Sequence, residues 1–407
     1  MEKRRKFHSL MGQVLELRRL RATYEEVRAN RGGPGVDGVS VEEFGERLEE
    51  NLLKLISELR ARTYRPLPVK RVLIPKPDGS QRPLGIPAVR DRVVQQAVLR
   101  VVEPIFEAEF SSHSHGFRPG RSCFSALREL YGQVRAGHLY IVDVDIEKFF
   151  DTIAHEPLID AVAEKVADGS VLRLIRLFLE ALIQEGYKLM RPKAGTPQGG
   201  VVSPLLANIY LGRLDRVLEA EGVAFVRYAD DVRLLSRTPA AARKALQRTE
   251  EVLKELGLRL NPKKTRLVSI HQGVDFLGYR LIAVRGYLNA YINPKVLERF
   301  REKVRELTRR TAGVSFEVMV KRLNEYLRGW GEYFKRAQAS GVLDRLDQWV
   351  ARRVRAYTAK RWRNTYWRRY PDQYLYGKLG LVRLYALRRN FYRDFTARHR
   401  RQPLCRA

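Results

Sequence analysis

The chain has only two cysteines in 407 residues, Cys123 and Cys405, far apart and without a second Cys or a His at ligand spacing. That excludes a disulfide framework and a zinc site. Long apolar runs are also missing. None approaches the ~18 to 20 residues of a spanning helix, and the N-terminus "MEKRRKFHSLMGQVLELRRL" has no uninterrupted apolar core of signal-peptide type. No membrane partner is expected, and the cytoplasm is the expected compartment. Acidic residues are scarce: 46 Asp plus Glu face 77 Lys plus Arg, a net charge of +31. Such an excess repels itself unless an anionic partner screens it, and nucleic acid is the first candidate. Tryptophan occurs only as Trp330, Trp349, Trp362 and Trp367.

The length suggests two to three domains. The first part mixes amphipathic helical patterns such as "VEEFGERLEENLLKLISELR" with a glycine loop, "NRGGPGVDG", and a hairpin, "KRVLIPKPDGSQRPLGIP", turning at Pro77-Asp78-Gly79. From about 119 to 282, helices alternate with short strands and acids cluster at strand ends. From about 293 the pattern is helical, with apolar Val296, Leu297, Phe300, Val304 and Leu307 on one stripe. Residues 291–407 hold 30 Lys plus Arg against 10 Asp plus Glu, so 20 of the 31 excess charges lie there. The stretch "KRWRNTYWRR" sits in a window, 351–370, of eight cations and no acid. Trp330 and Trp349 read as helix packing, whereas this window reads as a nucleic-acid face.

Against that background the stretch "AFVRYADDVRLLS" sets Asp230 and Asp231 side by side. Alone, this is an acidic turn on a surface hairpin. A second apolar strand, "LYIVDVDIEKFFD", ends in Asp143 and Asp145, and carboxylates from two adjacent strands can converge on one point. Mg²⁺ takes hard oxygen ligands, usually one or two carboxylates plus substrate phosphates. Two such ions about 4 Å apart can activate a hydroxyl and stabilise a leaving pyrophosphate. The acidic cluster therefore reads as a metal seat inside a polyanion-binding chain.

In their order, these motifs resemble the group II intron reverse transcriptases, or maturases, over nearly the full length. The resemblance implies an α+β fold: a right-hand polymerase of fingers and palm, with an antiparallel palm sheet, followed by an all-helical thumb/X domain. The implied divisions are an N-terminal extension and fingers at 1–118, a palm at 119–283, domain X at 293–390 and a basic tail at 391–407. "YADD" and "DIEKFFD" imply that Asp145, Asp230 and Asp231 are catalytic, with two Mg²⁺ ions held by Asp145, Ile146 and Asp230 and with Asp231 as the accessory acid. Asp143 shares a face with Asp145, but the family pattern puts the ligand directly before "IEKFF", so Asp143 is left out; Asp151 is read as a helix cap or a structural hydrogen-bond partner. "PKPDGSQRP" implies that Lys76 and Arg82 hold the triphosphate, and "GTPQGG" implies Gln198 against the incoming nucleotide. Phe150 is implied under the sugar, excluding a 2′-hydroxyl, with Phe149 as the alternative if the strand end is kinked. "HGFRPGRS" implies that Arg118 and Arg121 contact template and primer backbone. "NRGGPGVDGVSVEEF" resembles the N-terminal extension of non-retroviral enzymes, and "LNEYLRGWGEYF" the signature of domain X. Arg361, Arg363, Arg368 and Arg369 are assigned to intron RNA.

The implied activity is RNA-templated addition of deoxynucleotides, copying intron RNA into cDNA, together with assistance to splicing and mobility. Its partners would be group II intron RNA, an RNA template with a DNA or RNA primer, dNTPs and target DNA, in a bacterial cytoplasm. Oligomeric state is not legible. The chain stops after "RHRRQPLCRA", and no nuclease domain is expected of it. Two other readings use the same motifs: a splicing chaperone with a vestigial polymerase site, and a host-adopted reverse transcriptase in defence or repair. Retention of Asp145, Asp230, Asp231 and Gln198 argues against the first.

Overall fold

The two apolar segments that end in aspartates lie in one sheet. The computed structural model describes residues 6–75, 81–197, 199–309, 311, 313–359 and 367–399. The chain divides into two compact units, Met1–Ser269 and Ile270–Ala407. Strands of the first unit are β1 (Val69–Pro75), β2 (Gln81–Ile86), β3 (Tyr140–Val144), β4 (Ile183–Glu185), β5 (Lys188–Met190), β6 (Ala224–Tyr228), β7 (Asp231–Ser236) and β8 (Arg266–Ser269).

These strands make two sheets. One has the order β2-β1-β4-β5, with β1 parallel to β4 and the two hairpins antiparallel. The other has the order β6-β7-β3-β8 and is antiparallel throughout. Its register follows from burial. Val142 and Val144 of β3, Phe225 of β6 and Val232 and Leu234 of β7 join one apolar core with Leu206 and Leu214 of helix Ser203–Ala220 and Val252 of helix Pro239–Glu255. A one-residue slip would turn those side chains out and the intervening charges in, so the pairing Val142↔Leu234 and Val144↔Val232 is strongly specified. Because β3 and β7 run antiparallel, the residue after β3, Asp145, comes beside the start of β7 and the Ala229–Asp230 turn.

The second unit opens with a three-stranded antiparallel sheet, ordered β11-β10-β9, of β9 (Val274–Phe276), β10 (Tyr279–Val284) and β11 (Tyr287–Ile292). Helices Pro294–Leu307, Phe316–Phe334, Ser340–Ala359 and Leu384–His399 follow. Phe300 of the first packs on Trp330 of the second with ring centroids 4.4 Å apart, and the guanidinium groups of Arg305 and Arg353 lie over the Trp349 ring, 5.9 and 5.6 Å from its centroid. Asp347, buried, accepts from the backbone N–H groups of Leu384 and Tyr385 at 2.8 and 2.9 Å, filling donors that a helix start leaves unsatisfied. Burial pushes its carboxyl up to about 6 against those hydrogen bonds. Among the described residues no helix is long and apolar enough to cross a membrane.

One polar contact inside the first unit holds the sheet, the long helix and the acidic turn together. Arg227, next to last in β6, is fully buried. Its Nε donates to Asp215 Oδ1 at 2.7 Å and its Nη2 to Asp215 Oδ2 at 2.5 Å, while Nη1 donates to Asn208 Oδ1 at 2.9 Å and to the Ala229 carbonyl at 3.0 Å. Asn208 and Asp215 are two turns apart on helix Ser203–Ala220, so both reach the same strand. Removing one partner strands a buried charge, which costs about 3–5 kcal/mol. Arg227→Met should therefore lower the stability of the chain to urea by about that amount, whereas Arg227→Met with Asp215→Leu should recover most of it. Equal loss in the single and double variants would show that the pair is not what the sheet rests on.

Candidate active site

The turn between β6 and β7 consists of two residues, Ala229 and Asp230, closed by the Tyr228↔Asp231 pair. Ala229 sits at φ 59°, a left-handed conformation that a residue with a Cβ adopts only when its surroundings require it. Here they do. The Ala229 carbonyl is held by Arg227 from below, and Gly116 lies so close that a Cβ there would be 2.4 Å from the Ala229 nitrogen. Asn208 donates to the Gly116 carbonyl at 2.8 Å, and His115 N–H and the His113 carbonyl pair with the Arg227 backbone at 2.8 and 2.9 Å. The segment around "HGFRPGRS" thus forms a backbone brace behind the turn. Glu129 joins it from helix Cys123–Arg135, accepting from His115 Nε2 at 2.5 Å and pairing with His113 Nδ1, whose imidazole that hydrogen bond raises.

Four carboxylates meet at the end of β3, and arginines divide them. Arg233, cross-strand from Asp143, contacts Asp143 Oδ1 at 2.9 Å and also Asp231 Oδ1. Arg266 adds a contact to Asp143 at 3.5 Å. Of the remaining two, Asp145 and Asp230, the Asp230 carboxyl is raised first by burial and also by the charge of Asp145, while the turn's own backbone N–H, Arg82 and Arg227 pull it back. Burial also pushes Asp231 up, although 38% of its side chain is open to solvent and Arg233 works against that push. Asp145 has Lys264 Nζ at 3.6 Å, and its carbonyl accepts from Asn261 N–H at 2.8 Å.

A divalent cation fits this donor set. Among the described residues no three acidic, histidine or cysteine side chains form a ready-made cage. Two half-buried carboxylates of like charge match the habit of Mg²⁺, which completes its shell with water and substrate phosphate. Ile146 has a buried hydrocarbon side chain and bridges Leu260, so only its backbone carbonyl could join such a site.

The short helix that follows β3 reaches a cleft lined by Val69, Gly85, Phe150, Asp151, Ile183, Thr196 and Pro197, among others. Lys148, left-handed at φ 44°, ends the β3 segment and starts the short helix Phe149–Thr152. That twist buries Phe149 in the core and leaves Phe150 at the cleft. The loop "GTPQGG" is stitched to this helix: Thr196 N–H donates to the Phe150 carbonyl at 2.7 Å, Gly195 N–H to Ile153 at 2.7 Å, and His155 Nε2 donates to the Gly195 carbonyl at 2.8 Å. On its other side Gln95 accepts from Val201 N–H at 2.8 Å. Gly199, at φ 110°, lies where a Cβ would be 2.2 Å from the Gly85 carbonyl, so only glycine lets the loop meet β2.

The other sequence-derived residues divide as follows. Arg82 is exposed on β2 and acts electrostatically on Asp230. Lys76, Gln198, Arg361 and Arg363 lie outside the described residues. Arg118, expected on a phosphate, is buried: its guanidinium holds Glu107 at 2.7 Å and the Ser111 and Ser114 carbonyls at 2.5 and 2.6 Å. These partners already fill it, so a phosphate role would require Arg118 to leave all three, and its visible work is shaping the brace. Arg121 is half-exposed and donates to the Ser112 carbonyl at 2.6 Å. Arg368 and Arg369 are exposed in the second unit, Arg368 over the Trp367 ring and Arg369 over Tyr370. The sequence reading missed Arg227, Asp215, Asn208 and Arg233. The signal for them was a cation within an apolar strand, "AFVRY" and "DVRLL", which has to find an acid if the strand is buried.

Comparison with known proteins agrees with this geometry. The profile of the reverse transcriptase (RNA-dependent DNA polymerase) family matches residues 74–281, and that of the group II intron maturase-specific domain matches residues 297–375. Protein YkfC of Escherichia coli is 36% identical over 293 residues, covering 62% of this chain and 76% of that protein. Group II intron-encoded protein LtrA of Lactococcus lactis is 40% identical over 194 residues, 47% of this chain but 32% of LtrA. Nuclear intron maturase 1 of Arabidopsis thaliana is 28% identical over 191 residues, 34% of this chain and 27% of that protein. The first profile spans more than half of the chain, encloses both aspartate-ended strands and is followed in order by the second, so the chain belongs to the group II intron type of reverse transcriptase.

Proposed function

We propose that this chain extends a primer with deoxynucleotides along an RNA template, copying intron RNA into cDNA, and that its second unit binds intron RNA to assist splicing. What carries the reading is the sorting of charge at the end of β3: Arg233 occupies Asp143 and Asp231, leaving Asp145 and Asp230 as the adjacent pair. In this reading Asp145, Asp230 and the Ile146 carbonyl hold two Mg²⁺ ions. When bound, these would favour ionisation of the primer 3′-hydroxyl and stabilise the leaving pyrophosphate. Phosphoryl transfer asks the protein chiefly for positioning. Arg82, with Lys76, draws in the triphosphate of the dNTP, Gln198 meets the nucleotide, and Asp231, tied to Arg233, fixes the start of β7 as the accessory acid. Phe150 presents a ring where a 2′-hydroxyl would project. Arg121 takes a backbone phosphate of template or primer, and target DNA enters as the acceptor during mobility.

Asp230→Ala should lower primer extension about a thousandfold or more, ~4 kcal/mol of barrier, while leaving RNA affinity nearly intact. Extension and RNA binding measured on one preparation decide it, and near-normal extension would remove Asp230 from the site.

Phe150→Ala should raise ribonucleotide incorporation with little loss of stability. Phe149→Ala should instead destabilise the fold by about 3–5 kcal/mol, as expected of a buried ring. Competition between rNTP and dNTP, together with a denaturation curve, checks both; a change of sugar choice in the Phe149 variant alone would assign the gate to Phe149.

Replacing Arg361, Arg363, Arg368 and Arg369 together by Ala should weaken intron binding and reduce its salt dependence, because the slope counts neutralised phosphates, roughly 0.7–0.9 per contact. Extension on a short unstructured template should change much less. Parallel affinity lines across a salt series would leave these arginines as solubilising charge.

A further inference from the structure

The β4–β5 hairpin turns at Gly186 and Tyr187, with Gly186 at φ 59°. Its tip is built unlike the rest of the unit. Tyr187 has a relative exposure of 106%, with its ring wholly in water, and Leu189 is 58% exposed. Lys188, Arg191 and Lys193 are exposed around it, and residues 186–194 contain no acid. β5 is an edge strand of its sheet. At the base of the hairpin Ile183 and Pro192 line the same cleft as Phe150 and Thr196, and the chain runs from Lys193 directly into the "GTPQGG" loop.

An aromatic ring with no packing partner, followed by exposed cations and with the nearby Glu185 held by Arg71 at 3.4 Å, suits a polyanion that offers flat rings of its own. Single-stranded nucleic acid does so. Its bases stack on aromatic side chains while Lys and Arg follow the backbone, whereas a duplex keeps its bases stacked inside. During primer extension the single-stranded portion is the template not yet copied. We propose that the β4–β5 tip is a seat for this uncopied template strand, with Tyr187 stacking on a base and Lys188, Arg191 and Lys193 holding phosphates. The proposal rests on the polymerase reading for the identity of the strand, but its test does not depend on catalysis.

The test compares binding of two labelled RNA–DNA duplexes, one blunt and one with a long 5′ RNA overhang, by the full chain in EDTA so that no chemistry occurs. The wild type should prefer the overhang. Tyr187→Ala should lose roughly several-fold in affinity for the overhang substrate, in line with one base–aromatic stack, and nothing for the blunt one, while Tyr187→Phe should retain the preference. Lys188→Gln with Arg191→Gln and Lys193→Gln should lose roughly tenfold or more at low salt and flatten the salt slope. Because these side chains are exposed, unchanged thermal unfolding should accompany the losses. Overhang binding identical to wild type in both the alanine and the triple variant would overturn the seat and assign the tip to another partner. A wild type that binds the overhang through Tyr187 yet fails to extend primers with metal restored would instead strike at the polymerase reading and leave the seat standing.

Discussion

A buried arginine is the constraint from which the catalytic face follows. Arg227 keeps its charge in the interior because Asp215 meets two of its nitrogens side-on and because Asn208 and the Ala229 carbonyl take the third. Such a pair contributes little net stability compared with a well-packed apolar substitute. Its value is directional. A guanidinium is planar and its donors leave at fixed angles, so fixing Asp215 and Asn208 on one helix fixes where the Ala229 carbonyl points. The strained φ of Ala229 and the position of Asp230 follow from that, and Gly116 closes the remaining space from behind.

A second arginine divides the acids. Four carboxylates at the end of one strand pair would raise one another's pKa and resist ionising together. Arg233 lies cross-strand from Asp143 and two residues from Asp231, so by strand alternation it shares their face and joins them. The consequence is a division by charge. One carboxylate pair is tied to the buried Arg233, and the other, Asp145 and Asp230, is met by cations on exposed side chains, Lys264 at 3.6 Å from Asp145 and Arg82 acting on Asp230. Exposed lysine and arginine side chains can swing aside for an incoming ion at less cost than a buried guanidinium.

The parts of this that could be read in the sequence are those set by periodicity and by short ordered motifs. The strands that lead to Asp145 and Asp230 and the helices after them follow from apolar alternation with acids beyond the ends, and in the structure β3 stops at Val144 and β6 at Tyr228, with Asp230 in the turn. The partner of a polar residue was not legible when it lay on a separate element. The resemblance of "HGFRPGRS" implies a backbone contact for Arg118, yet its guanidinium is drawn inside by Glu107, at the end of a helix that the turn itself does not reveal. Phe149 and Phe150 were left as alternatives because their order depends on a single backbone twist at Lys148, and neither helix nor strand period extends across that residue. The contact of Gly199 with Gly85 joins segments more than a hundred residues apart, and composition carries no trace of it.

Those backbone contacts bear on how the site works. Gly116 against Ala229 and Gly199 against Gly85 are approaches of main chain to main chain, with no side chain between them to change rotamer. Side-chain packing can relax when a neighbour moves; two backbones in contact can only move together. A reaction that depends on holding a hydroxyl and a phosphate within a few tenths of an ångström gains from such contacts, because ordering done during folding need not be done again at each turnover. The acidic turn and the "GTPQGG" loop are therefore set by the fold in advance. The β4–β5 tip has no such contact at Tyr187, so the seat proposed there would gain nothing from ordering during folding, and its affinity would rest on the stacking and phosphate contacts made at binding.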